Sequence, residues 1–183
     1  GTGLGSALPG AGVTNVLASA PSMSGGSGLP GFATANVRPD ILADASASGN
    51  GTDFATYVVG TGFRPLNVGE YTSTLTTSPT TANLRLTGNE TFMTNQVGTL
   101  TLASGGGLTA MTVGSTINLG SLGLLAHTGN TGLTGGQVNA GGSLLIVHTL
   151  GDLDVNSYMT GTNGLNKGEI GRASCRERVS SPV

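Results

Sequence analysis

Asp152 and Asp154 are the residues of this chain whose type and spacing come nearest to catalytic chemistry. In an extended strand, side chains two residues apart share a face at roughly 7 Å, inside the window of about 5 to 10 Å over which paired carboxylates divide acid and base roles at a glycosidic bond. No basic side chain or third acid lies near them in sequence, so a solvated strand start is the preferred reading. Asp40 and Asp44 form a second, more distant pair upstream. His127 and His148 sit in two similar strings, Leu124-Leu125-Ala126-His127-Thr128 and Leu145-Ile146-Val147-His148-Thr149, offset by 21 residues. If that offset is one turn of a coil, the two imidazoles stack. Two ligands are too few for a metal, and no Cys, Asp or Glu beside them completes a set. Gly26-Ser27-Gly28-Leu29-Pro30-Gly31 formally matches a dinucleotide fingerprint. No buried strand precedes it, however, and Pro30 with its Gly and Ser neighbours opens a loop rather than the helix that must hold a pyrophosphate. The sequence therefore assigns no catalytic, cofactor-binding or metal-ligating residue, and the chain reads as a non-enzyme.

The elements around these residues explain the shortage. Residues 91–151 contain no Asp, Glu, Lys or Arg and alternate Leu, Ile and Val with Thr, Gly and Asn. Period-two apolar residues with Gly or Asn punctuation suit short strands wound into stacked coils. Charged residues are 9% of the chain, far below the usual share of about 25%. Its 33 glycines are well above the ordinary share, aromatics are 4%, and Trp is absent. Such a composition leaves too few large side chains for a compact core, whereas rows of Leu, Ile and Val stacked along an axis need fewer. Disorder is not implied, because it usually joins low hydrophobicity to high charge.

The expected fold is all-β: a right-handed parallel β-helix, or β-solenoid, that is a fragment of a longer array. Residues 1–50, rich in Gly, Ser, Ala and Pro, read as an irregular lead-in with weak strands, and residues 51–168 as β-helix coils. Strand signals lie at 52–66 and 71–77, then more regularly at 84–86, 99–102, 108–113, 116–119, 122–125, 137–138, 144–147 and 153–155. Glycines 105–107, 135–136 and 141–142 are expected to turn corners that demand a positive φ. Asn118, Asn139 and Asn156 fit either an asparagine ladder or plain solvent exposure. Thr74-Leu75-Thr76 and Thr99-Leu100-Thr101 are too few for the threonine ranks of an ice-binding solenoid, which must recur on every coil. Calcium-binding nonapeptide repeats would need a Gly-Gly-x-Gly-x-Asp spacing that is absent.

A net charge of -2 argues against a nucleic-acid partner, since a phosphate-tracking surface needs clustered Lys and Arg. Before residue 169 the basic residues are only Arg38, Arg64, Arg85 and Lys167. No apolar run reaches the roughly 18 to 20 residues of a membrane-spanning helix. The chain starts at Gly1 without a Met, so the lack of a leader peptide is uninformative.

The C-terminal residues break from everything before them. Residues 169–179 read Glu-Ile-Gly-Arg-Ala-Ser-Cys-Arg-Glu-Arg-Val and carry the single cysteine, Cys175. This string resembles the in-frame translation of a sequencing adapter, which implies that residues 169–183 are non-native, that Cys175 has no redox meaning, and that the natural protein continues past Gly168. The competing reading is a short basic tail for an anionic partner.

Assembled, the chain resembles the passenger regions of bacterial proteins with autotransporter-associated β-strand repeats. Asn50-Gly51-Thr52-Asp53-Phe54-Ala55-Thr56-Tyr57 followed by Gly62-Phe63-Arg64-Pro65-Leu66 carries the resemblance, with 132–149 and 153–164. Gly164-Leu165-Asn166-Lys167 begins the family's Gly-Leu-x-Lys-x-Gly-x-Gly-x-Leu-x-Leu motif, and the adapter-like string replaces its continuation. The resemblance covers about residues 13–168. It implies a secreted or outer-membrane surface protein acting as a stalk or adhesin-like scaffold, with no cofactor, no insertion of this segment into a membrane, and a surface glycan or protein as the possible ligand. The rival expectation is a carbohydrate-active β-helix enzyme, a polysaccharide lyase or hydrolase, with its catalytic coils mostly outside this chain.

Overall fold

The computed structural model describes residues 3–25, 28–46, 49, 51–76 and 78–169. Cys175 and nearly all of the adapter-like string lie outside the described residues, as do Gly26 and Ser27 of the glycine-rich string.

Short alternating runs flanked by Gly, Ser and Thr produce short strands, and these stack in parallel. One sheet takes β4 (Leu84–Leu86), β7 (Leu100–Leu102), β10 (Gly123–Ala126), β12 (Leu145–Thr149) and β14 (Leu165–Glu169) in spatial succession. The other takes β5 (Asn89–Phe92), β6 (Thr94–Val97), β8 (Gly107–Ala110), β9 (Thr116–Leu119), β11 (Gly132–Asn139) and β13 (Val155–Thr160). The chain alternates between the two sheets, and the result is a β-solenoid of about four turns with no α-helix among the described residues.

Because register partners sit directly above one another, side chains of one kind form rows along the axis. Leu84, Leu100, Leu124 and Val147 make one inward row, and Leu86, Leu102 and Ala126 the next. From the second sheet come Leu108 over Leu133 and Ile117 over Val138. All are buried in one core cluster, and each large member contributes about 1.5 to 3 kcal/mol on burial. At the N-terminal end the same rows turn polar. Glu90 pairs with Leu108 and Asn95 with Ile117, and the Glu90 carboxylate accepts the backbone N–H of Leu75 at 2.7 Å. The buried Leu75 side chain thus closes that end of the core.

Two expected elements differ. Residues 71–77 form no strand among those described: Thr72 makes a single parallel bridge to Leu84, and the Ser78 hydroxyl pairs with both the Thr72 hydroxyl at 2.6 Å and the Thr74 carbonyl at 2.5 Å, curling the segment on itself. Gly135 and Gly136 do not turn a corner. With φ of +70° and +61° they bulge the middle of β11, which lets that one strand pair with β8 on one side of the bulge and β9 on the other.

Parallel pairing also starts later than residue 51. Residues 38–65 form a separate antiparallel sheet of β1 (Arg38–Ala43), β2 (Asp53–Val58) and β3 (Gly62–Pro65). Short connections and the turn at Gly60 and Gly62, both at positive φ, fold these strands back on each other, as antiparallel hairpins permit and parallel strands do not. This sheet lies against the outer face of the first solenoid sheet, where Phe54, Val37, Ala35 and Leu66 cluster with Leu125. Strand β10 is therefore buried on both faces, Leu124 inward and Leu125 outward.

Candidate functional site

The structure separates most of the residues that could do chemistry. Asp152 and Asp154 are exposed on either side of the buried Leu153, in the link before β13. Their backbone carbonyls accept the Asn130 amide at 2.6 Å and the Leu133 N–H at 2.9 Å. Neither carboxylate joins an ion pair among the described residues. Asp40 is clamped by two donors of Arg38 at 2.8 and 2.5 Å, which lower its pKa. Asp44 caps the Ser46 N–H at 2.6 Å. Among the described residues no three of His, Cys, Asp and Glu are grouped to hold a metal.

His127 and His148 do not stack. Leu125 pairs with His148, and Ala126 with Thr149, a register two residues away from the one the similar strings suggest. A shift of two preserves which face each side chain points to, so the apolar alternation cannot tell the registers apart. Specific contacts do. His148 donates from Nε2 to the Pro39 carbonyl at 2.8 Å and meets Phe54 edge-on with ring centres 6.2 Å apart.

A polar cluster not foreseen from the sequence lies where the antiparallel sheet meets the solenoid. Arg85, Thr101, Leu125, His148 and Gly168 form one row on the outward face of the first solenoid sheet. Opposite Arg85, Asp53 accepts its guanidinium at 2.6 Å, the Tyr71 hydroxyl at 3.0 Å and the Thr52 hydroxyl at 3.0 Å. The Arg85 guanidinium also lies 5.6 Å from the centre of the Tyr71 ring, within cation–π range. Burial and then the Asp53 charge push the Tyr71 phenol well above its ordinary value. Burial and then Arg85 pull the His127 pKa down. Asp53 thus takes three donors from separate segments, which makes it an anchor for docking the antiparallel sheet on the solenoid. A second clip is Glu70, buried and bound by two Arg64 donors at 2.6 and 2.5 Å and by the N–H groups of Asn67 and Gly31 at 2.7 and 2.5 Å. Burial opposes its ionisation, yet these donors leave its pKa lowered. Residue-by-residue patterns could not reveal the first cluster, since Asp53, Tyr71 and Arg85 come from separate segments. The second gathers Arg64, Asn67 and Glu70 from one short stretch and adds the distant Gly31.

The outer face of the second solenoid sheet is of another kind. Its rows, one residue per coil, are Thr91, Thr109, Thr134 and Asn156; then Thr94, Thr116, Gln137 and Tyr158; then Gln96, Asn118, Asn139 and Thr160. All are exposed or half-buried, and every one carries a hydroxyl or an amide with no charge. Along the last row the Asn139 amide donates to the Asn118 side-chain oxygen at 2.8 Å, and Asn118 donates to the Asn95 carbonyl at 3.4 Å. Asn118 and Asn139 therefore form a ladder, while Asn156 stands in a different row beside Thr134. The ladder borders an open groove of about 310 Å³ lined by Gln96, Asn118, Asn139, Leu119, Leu122 and Ser143, with Gly120, Ala140 and Gly141 between them.

No helix among the described residues is long and apolar enough to cross a membrane. The chain matches no family model, no curated protein and no solved structure.

Proposed function

We propose that this chain is a non-catalytic scaffold segment of a bacterial secreted or outer-surface protein of the autotransporter-associated repeat kind, serving as a stalk or adhesin-like support. The observation that carries this reading is the stack itself. Four turns share one apolar core, while the outward rows of the second sheet hold only hydroxyls and amides. Such a repeat gains stability from each neighbour and extends without limit along its axis. At the sheet junction Asp53 is paired with Arg85 and Glu70 with Arg64. Asp152 and Asp154 join no ion pair among the described residues. The test is turnover of a polysaccharide panel by the full chain, read as new reducing ends or unsaturated products. The scaffold reading expects neither above a heat-treated control. Turnover that disappears in Asp152→Asn/Asp154→Asn would establish the lyase or hydrolase alternative.

A further inference from the structure

We infer that the groove beside the Gln96, Asn118 and Asn139 row is a binding site for a neutral glycan chain lying along the solenoid axis. The inference rests on the scaffold reading and gives it a ligand.

Three observations converge on the groove. Its polar groups are held in place beforehand. Asn139 spends one N–H on Asn118, and its side-chain oxygen accepts the Gly141 N–H at 2.8 Å. Asn118 accepts from Asn139 and donates to the Asn95 carbonyl. A primary amide offers two donors and two lone pairs, so each asparagine retains one donor and one acceptor in a fixed orientation. Gln96, exposed at one end, and Ser143, exposed at the rim, add the same mixed character.

The second observation is what the lining lacks. None of the residues around the groove is ionisable. A phosphate backbone needs cations, and an acidic polymer would need the same. A sugar hydroxyl is both donor and acceptor and matches an amide or hydroxyl without any charge. The row repeats once per coil, at roughly the 4.8 Å spacing of neighbouring strands, so an extended chain can use one position after another. Tyr158, exposed and one row away beside Thr160, offers an amphipathic ring to the same face.

The third is strain. Leu122, in the groove lining, is the one non-glycine residue with a positive φ among the described residues, +66°. A branched side chain seldom adopts that region, and such outliers gather where a ligand is clamped. Leu122 is half-buried against the core, which holds the turn in this conformation and floors the groove with an apolar patch suited to a pyranose face.

The experiment is native affinity electrophoresis of the full chain through gels containing dextran, glucomannan or xyloglucan, with polygalacturonate and heparin gels as anionic comparisons. Retardation is expected in at least one neutral gel and in neither anionic gel. Gln96→Ala/Ser143→Ala, which alters only exposed side chains, is expected to weaken retardation at least fivefold with an unchanged melting temperature, while Thr91→Ala, on the far row, leaves it intact. Lack of retardation in every neutral gel, retardation in anionic gels alone, or an undiminished double variant would each overturn the assignment. Reducing-end release is read from the same mixtures. Release would defeat the non-catalytic reading, whereas absent retardation without release defeats the groove alone.

Discussion

His148 donates its Nε2 proton to the carbonyl of Pro39 at 2.8 Å, tying the fourth coil of the solenoid to the first strand of the antiparallel sheet across 109 positions of the chain. The bond fixes the imidazole tautomer, because only a protonated nitrogen can donate to a carbonyl. It also marks the seam on which the N-terminal third of the molecule is docked.

Acid is expected to loosen that seam before it unfolds the coils. The His127 pKa lies below its ordinary value of 6.5, through burial and then Arg85. A depressed folded-state pKa means that the unfolded chain binds the proton more readily. The stabilisation is thus complete above about pH 6.5 and is lost as the pH falls through the folded value. Hydrogen exchange at β1–β3, taken relative to the intrinsic amide rate at each pH, should accelerate between pH 7 and pH 5 ahead of exchange in β10 and β12. His127→Gln should flatten that dependence; equal acceleration everywhere would remove the seam as its source.

Glu70 should be among the costliest polar positions to change. Replacing it with Gln leaves the Arg64 guanidinium buried against a neutral partner, a loss on the order of 3 kcal/mol. Denaturant unfolding at pH 7 measures it. Since the Glu70 pKa is lowered by its donors against the opposing effect of burial, its contribution is present above the ordinary carboxylate value and declines as the pH falls through the lowered one. The variant should therefore lose less stability than the natural chain below about pH 4.

Gly123 is required by the docked sheet rather than by its own turn. A Cβ placed there would stand 2.8 Å from the Phe54 ring. Gly123→Ala should cost about 1 to 3 kcal/mol by overpacking. Combining it with Phe54→Leu should cost less than the sum of the two single changes. Strict additivity in thermal melts would show that the two residues do not touch.

Much of the solenoid was legible because inward rows write themselves into the chain as alternation. Leu84, Leu100 and Leu124 are recognisable as core positions before any fold is known, and the shared cluster of the structure contains them. Register was less legible: Leu125 rather than His127 faces His148, and a slip of two residues leaves every side chain on its proper face. The antiparallel sheet was missed because Asp53, Tyr71 and Arg85 are unremarkable in sequence and meet only once β2 lies against the coils. The ladder was half visible. Asn118 and Asn139 stack, but the bulge at Gly135 and Gly136 decides which residues of β11 fall into which row, and two adjacent glycines do not announce a bulge over a corner.

The register of stacked coils underlies every other claim and is open to direct measurement by cross-linking. In a Cys175→Ser background, Thr134→Cys and Asn156→Cys would sit directly opposite each other on β11 and β13, about 5 Å apart, within the Cα separation a disulfide accepts. Mild oxidation should join them nearly completely in the folded chain, while Thr134→Cys with Asp152→Cys should stay reduced. Failure of the first pair, or faster closure of the second, would contradict the stacked-coil account.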